Sequence, residues 1–317
     1  MAVRTSPSSP PAASPRGGGL LDRLRDPRLL TVFAWAAAIT NGGIAVTGAT
    51  VRVTGSGLGC ATWPECQPGS LVPVQRSGLA AIHQAIEFSN RTLTGVVLVA
   101  SLGTFALLLL AKPRRPQLLW LASAGPFGVL FQAVWGGIVV RKELVWWTVA
   151  PHMLVSLVLL FCAVAVVIRL RETDGPVELA VPRALRLVAV LTVVVLAALS
   201  IAGTLVTAAG PHGGDAKTPR LEVDPRILAQ LHADLMFLYF GLLLAMLAGF
   251  YAVRATRTLL RRTWLLLGLT AAQGAIGLVQ YWTGVPEVLV ISHVAGATVL
   301  VATASAVLMA TRRRPAA

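Results

Sequence analysis

Eight long apolar segments constrain the fold of this 317-residue chain more than any other feature of its sequence. Each contains about 20 apolar residues or more, which is the length of helix that crosses a bilayer. Backbone polar groups must be satisfied inside a membrane, and the segments are too long for barrel strands, so they are predicted to be helices. They cover residues 30–50, 79–111, 118–140, 147–168, 187–209, 227–252, 264–283 and 288–310. The sequence therefore predicts an all-α integral membrane protein.

The basic residues predict the orientation of these segments. The net charge is +14, and most of the 27 lysines and arginines fall on alternate connections and on the two tails. By the positive-inside rule, both termini are predicted to be cytoplasmic, in a bacterial plasma membrane or alternatively in the mitochondrial inner membrane. Topology accounts for the charge, so membrane lipid is an expected partner and nucleic acid is not.

Two tails flank the predicted membrane region. Residues 1–29 begin with a stretch rich in Ser, Pro and Gly and are predicted to be a disordered cytoplasmic tail. Residues 311–317 are predicted to be a basic cytoplasmic tail.

Matching motifs divide the apolar segments into two halves, residues 30–170 and 187–310. The first segment ends in Gly48-Ala-Thr-Val51 and the fifth in Gly203-Thr-Leu-Val206. Each half holds four segments, so we predict two repeated four-helix bundles related by an axis along the membrane normal.

A second match links the third and fourth segments of each half. Gln132 precedes His152, and Gln273 precedes His293, by the same interval. The sequence does not decide which residue of the first half is equivalent to His232. The interval to the following Gln favours Asn90, whereas local sequence similarity favours His83.

Four histidines lie inside predicted helices near one membrane face: His83, His152, His232 and His293. Ionisable groups in membrane spans are rare and usually functional. Two imidazoles on facing helices of a four-helix bundle can ligate heme iron, so these histidines predict a heme or another metal centre. His212, in a connecting loop, is predicted to be solvated.

Glu87 lies on the same helix face as His83 and Asn90. A carboxylate within a membrane is costly unless it is paired or protonated. Glu87 is either paired with Arg91, one turn later, or it transfers protons in catalysis. The sequence leaves both roles open.

Two cysteines, Cys60 and Cys66, lie in the first non-cytoplasmic loop. Nearby cysteines in an oxidising compartment commonly pair, and two cysteines alone make a poor zinc site. We expect a disulfide.

These residues together resemble the heme A synthase family. The resemblance rests on Thr54-Gly-Ser-Gly-Leu-Gly-Cys60, the Trp63-Pro64 that follows it, and Ile86-Glu-Phe-Ser-Asn-Arg91, and it covers residues 30–310. It implies oxidation of the C8 methyl group of heme O to a formyl group, which gives heme A for terminal oxidases.

The resemblance also implies roles for the candidate residues. By this resemblance, the second half of the chain would hold a heme B cofactor through His232 and His293. The first half would hold the substrate heme beside His152 and the catalytic acid Glu87. The position of the usual family histidine is occupied by Asn90 here. His83 is the expected replacement ligand; alternatively, His152 alone would hold the substrate iron.

The partners implied are heme O, O2 or water, an electron donor that the sequence does not identify, heme O synthase and cytochrome oxidase subunits. The alternative function is a di-heme b-type electron carrier, which needs two histidine pairs and has no use for Glu87. A heme transporter or chaperone is a third possibility.

Overall fold

The computed structural model describes residues 19–74, 81–173 and 175–314. Most of the predicted N-terminal tail, residues 1–18, and the last three residues of the predicted C-terminal tail lie outside these ranges. The prediction of a disordered tail up to residue 29 is wrong for its end, because α1 (Leu20–Leu24) is a short helix and the next helix begins at Pro27.

All eight predicted membrane helices are confirmed, and each is long and apolar enough to cross a bilayer. The chain is thus an all-α, multi-pass membrane protein. Its long helices are α2 (Pro27–Val53), α3 (Ala81–Leu110), α4 (Pro116–Arg141), α5 (Trp146–Leu170), α6 (Arg183–Ala209), α7 (Pro225–Ala252), α8 (Arg257–Trp282) and α9 (Glu287–Ala310).

The helix boundaries differ most from the sequence prediction at the start of α8. Hydropathy predicted a start at residue 264, because Arg261 and Arg262 interrupt the apolar run. The helix begins a full two turns earlier, where the Thr256 side chain accepts a hydrogen bond from the Leu259 backbone N–H at 3.3 Å. A polar cap therefore sets this boundary where hydropathy cannot.

Four helices pack in the same order within each half of the chain. In the first half, α2 and α4 each contact both α3 and α5; in the second, α6 and α8 each contact both α7 and α9. The halves meet where α9 contacts α2 and α5, and where α5 contacts α6. This packing supports the predicted repeat, which itself stays a prediction.

Hydrogen bonds join the two halves at the end of the bundle that carries Cys60 and Cys66, which we call the disulfide end. The Gly57 backbone N–H donates to the Gly214 carbonyl at 2.9 Å, and the Arg52 Nε donates to the His212 carbonyl at 2.6 Å. These bonds join the C-terminal end of α2 and the loop after it to a loop of the second half, so they fix the two halves relative to each other.

The opposite end, which we call the terminal end, carries the described parts of both tails. A two-residue strand, β1 (Glu178–Leu179), pairs antiparallel with β2 (Arg312–Arg313). The start of the predicted basic tail is therefore attached to the connection between the halves.

Candidate functional site

The second half brings two of its predicted ligands together. His232 on α7 and His293 on α9 have ring centroids 6.3 Å apart, with the ring planes inclined at 64°. The Nδ1 atom of His232 lies 3.0 Å from the Leu199 carbonyl oxygen. Because a carbonyl can only accept, this Nδ1 is the donor, and Nε2 keeps the lone pair that a metal needs.

Glycines on neighbouring helices give these two imidazoles their space. A Cβ atom placed on Gly203 of α6 would lie 3.0 Å from the Cε1 atom of His232, and one on Gly277 of α8 would lie 3.3 Å from that of His293. Any larger residue at either position would displace a ring.

The pair fits a heme iron. An iron bonded to one nitrogen of each ring, with bonds of about 2 Å, holds the two centroids roughly 6 Å apart. The Nδ1 atom of His293 is also buried without a hydrogen-bond partner among the described residues, whereas His232 uses its Nδ1 to anchor the ring. His232 and His293 are therefore suited to hold a heme between α7 and α9.

Replacing Gly203 by alanine tests this geometry. The added methyl group should push the His232 ring away from α6 and so weaken the binding of added heme by the second half. Gly241→Ala is the matched control, because a Cβ on that glycine of α7 meets nothing within 4 Å. Absorption spectra of the two purified variants measure the effect, and equal spectra would contradict the proposed ring position.

The fourth helix of the first half repeats the arrangement around His293. Gln132 donates through Nε2 to the His152 carbonyl at 2.7 Å, as Gln273 does to the His293 carbonyl at the same distance. Within the part of the chain that the structure describes, the Nδ1 atom of His152 is buried and without a hydrogen-bond partner, as is that of His293. The sequence match between the two Gln–His intervals thus corresponds to matching contacts.

The second helix of the first half differs. Asn90 accepts a hydrogen bond from the Thr47 hydroxyl at 2.6 Å, whereas His83 binds Ser56 through Nδ1 at 2.9 Å. Among the described residues, no ring contact like that of His232 and His293 joins His83 to His152. The structure therefore does not bring together the two predicted substrate-site histidines.

Glu87 forms the ion pair that its spacing from Arg91 allowed. Its Oε1 atom lies 2.6 Å from Arg91 Nη2, and its Oε2 atom accepts the Cys60 backbone N–H at 2.6 Å. The side chain of Glu87 is 6% exposed and that of Arg91 20%. The carboxylate therefore fixes the disulfide loop on α3.

The predicted disulfide between Cys60 and Cys66 is confirmed, and both cysteines are buried. Arg91 donates to the carbonyl groups of Cys60, Thr62 and Glu65 in the same loop. The loop is thus held by the half-buried Arg91 and the buried Glu87, which both come from α3.

Trp63 extends this loop over the first half. A Cβ on Gly137 of α4 would come within 2.6 Å of the Trp63 ring, so the indole lies directly on that helix. The neighbouring Gly136 faces the Cε1 atom of His152 at 3.5 Å. The loop therefore covers the bundle beside His152.

Removing Arg91 should release the loop. Breaking a buried pair by deleting one partner costs about 3 kcal/mol or more, so Arg91→Gln should speed reduction of Cys60–Cys66 by dithiothreitol at least tenfold. Arg141→Gln is the control, because Arg141 makes one exposed bond to the loop, to the Trp63 carbonyl at 3.1 Å. Thiol labelling over time measures the rates, and equal rates would show that Arg91 does not hold the loop.

The sequence analysis was wrong about His212 and did not find three partner residues. His212 is half-buried, and its Nε2 atom lies 2.8 Å from the Val285 carbonyl oxygen in the connection between α8 and α9. Thr47, Ser56 and Arg52 are ordinary residues in sequence, and their roles depend on contacts with other segments. Ser56 lies within the Thr54–Cys60 motif, but the motif does not show that its partner is His83.

Comparison with known proteins gives a family match over most of the chain. A family model described as Cytochrome oxidase assembly protein (COX15-CtaA) matches residues 31–305.

Individual relatives match over shorter stretches. A protein named heme A synthase from Lysinibacillus sphaericus is 43% identical over 76 residues, which is 24% of this chain and 23% of that protein. Proteins named protoheme IX farnesyltransferase from two strains of Thermus thermophilus are 36% identical over 86 residues, which is 27% of this chain and 13% of each relative. The chain therefore matches less than a quarter of the length of each of these relatives.

Proposed function

Because this chain belongs to the COX15-CtaA family of cytochrome oxidase assembly proteins, we propose that it oxidises heme O to heme A by converting the C8 methyl group to a formyl group. One relative is named heme A synthase, and others are named for farnesyl transfer to protoheme IX, so both names concern modification of heme. The protein would act in heme A synthesis for oxidase assembly, with heme O synthase and oxidase subunits as partners.

The observation that supports this function best is the difference between the halves. The second half holds a facing imidazole pair, His232 and His293, with ring centroids 6.3 Å apart. The first half holds His152 together with a buried carboxylate and a disulfide loop. A di-heme electron carrier would need two equivalent histidine pairs, so the asymmetry favours one resident heme and one substrate heme.

His232 and His293 of the second half would hold heme B, a redox group that can transfer electrons when it is bound. His232 is oriented by its bond to Leu199, and the backbone at His293 is fixed by Gln273. The ring of His232 and the backbone that carries His293 are therefore positioned before any ligand enters.

The residues of the first half would bind and shield the substrate. His152 would contact the heme O iron, and Trp63 and the disulfide loop would limit the access of water. With water as the oxygen source, R–CH3 + H2O gives R–CHO + 4 H+ + 4 e−, and the electron-transfer partner would accept the electrons; with O2 as both oxidant and oxygen source, R–CH3 + O2 gives R–CHO + H2O. Arg91 would stabilise the ionised Glu87 carboxylate, whose Oε1 or Oε2 atom would then receive a proton from the substrate and pass it on.

As part of the same proposal, the protein lies in a bacterial plasma membrane with both termini in the cytoplasm. The basic residues of the terminal end support this orientation. The disulfide end would then face the oxidising side, where Cys60 and Cys66 can pair.

Co-expression with a heme O-producing enzyme, followed by chromatography of the extracted hemes, tests the function. Conversion of heme O to heme A supports the enzyme. Two equal heme B centres that do not exchange, without heme A, would support the electron carrier instead.

A further inference from the structure

In the second half, His232 is the residue beside the fourth-helix histidine His293, and the contacts of α6 and α2 identify its equivalent in the first half. In the second half, His232 lies against Gly203 of α6, and its Nδ1 atom binds the carbonyl of Leu199 one turn earlier. Gly203 corresponds in sequence to Gly48 of α2. The first-half residue that reaches α2 beside Gly48 is therefore the equivalent of His232.

That residue is Asn90. Its Oδ1 atom lies 2.6 Å from the hydroxyl of Thr47, the immediate neighbour of Gly48. His83 instead contacts Ser56, beyond the C-terminal end of α2. Seven residues separate His83 from Asn90, which moves His83 by about 10 Å along α3.

Asn90 does not fill the space that an imidazole occupies in the second half. A Cβ on Gly48 meets nothing within 4 Å, whereas one on Gly203 would contact the His232 ring. The carboxamide Oδ1 already accepts a hydrogen bond from the Thr47 hydroxyl, so only the Nδ2 group remains to contact a ligand. Among the described residues, this Nδ2 group has no hydrogen-bond partner. Axial ligands of heme iron are His, Cys, Met or Tyr, and a neutral carboxamide is not among them.

His83 serves the disulfide loop instead. Its Nδ1 atom binds Ser56, which is fully buried at the start of that loop. A Cβ on Gly59 would lie 2.5 Å from the His83 carbonyl oxygen, so the loop backbone passes directly over this turn of α3. Both contacts keep His83 at the loop.

We propose that the first half binds its heme through one axial imidazole, His152, and presents the Asn90 carboxamide at the other axial position, which stays open to a small ligand. The inference rests on the proposed function only in that the first half binds a heme. An open position would let water or O2 approach the substrate iron, next to the remaining N–H donors of Asn90.

Carbon monoxide tests the open position directly. The full-length protein in detergent is loaded with hemin, reduced with dithionite and exposed to carbon monoxide, which binds only a heme with a free axial position. The wild type should contain one heme that reacts and one, held by His232 and His293, that does not. A wild type with no reactive heme overturns the proposal.

Three variants assign the reactive heme. His152→Ala should abolish it, and Asn90→His should make it unreactive by adding a second imidazole. His83→Asn, which keeps a hydrogen-bonding group beside Ser56, should leave it unchanged. Two results would contradict the assignment: a first-half heme that binds carbon monoxide in His83→Asn but not in the wild type, or an Asn90→His protein whose heme stays fully reactive.

The outcome is independent of catalysis. A reactive first-half heme without conversion of heme O overturns the proposed function and leaves this inference intact. Conversion of heme O by a protein whose hemes are both unreactive overturns this inference alone.

Discussion

Glu87→Gln is expected to lower the rate of heme A formation at least 100-fold while both hemes stay bound. General acid–base groups contribute roughly 100-fold to 10,000-fold to a rate, and the amide cannot receive the proton. The glutamine can still accept the Cys60 backbone N–H, so much of the loop geometry is retained. Chromatography of hemes extracted from cells that produce heme O measures the conversion.

Because Glu87 also pairs with Arg91, a second measurement is needed to separate a catalytic role of Glu87 from a structural role in the loop. If Glu87 only held the loop, Glu87→Gln would also expose Cys60–Cys66 to reductant, and activity would fall in proportion. Glu65→Gln is the matched control, since Glu65 lies in the same loop and uses its carboxylate for one exposed bond to Gly69. Normal heme A formation by Glu87→Gln would remove Glu87 from the mechanism.

His293→Ala is expected to abolish the two-imidazole heme site of the second half. The variant keeps His232, but one imidazole cannot hold the iron from both sides, and the spectrum of a heme with two axial imidazoles should disappear. The first-half heme should remain, because His152 has its own support from Gln132. Heme content per chain and absorption spectra measure the loss.

His212→Asn is the control for this experiment. His212 is also at the disulfide end, but its Nε2 atom binds the Val285 carbonyl, so its loss should leave the heme content unchanged. Retention of the two-imidazole spectrum in His293→Ala would show that His232 and His293 do not form the heme site.

Much of the fold was predictable because membrane helices are specified locally. A run of apolar residues identifies a span without knowledge of its neighbours, so all eight helices were found. The start of α8 was missed because the Thr256 cap, and not hydropathy, decides it. The disulfide was predictable because the loop contains only Cys60 and Cys66 and lies on one side of the membrane.

The candidate site was predictable only in part. The sequence alone predicted histidines at similar depth in both halves, and it determined that Glu87 could pair with Arg91, as it does. It could not show that both oxygens of Glu87 are engaged, because the Cys60 N–H comes from a loop 27 residues away. Likewise, the partner of His212 lies 73 residues further along the chain.

The tertiary structure decided which residue of α3 occupies the position of His232. Sequence comparison allowed Asn90 or His83, because interval and local similarity disagreed. Packing against α2 separates them, since Asn90 meets Thr47 in the bundle and His83 meets Ser56 in the loop. Two turns of a helix look alike in sequence, but they face different neighbours about 10 Å apart, and only the contacts between helices distinguish them.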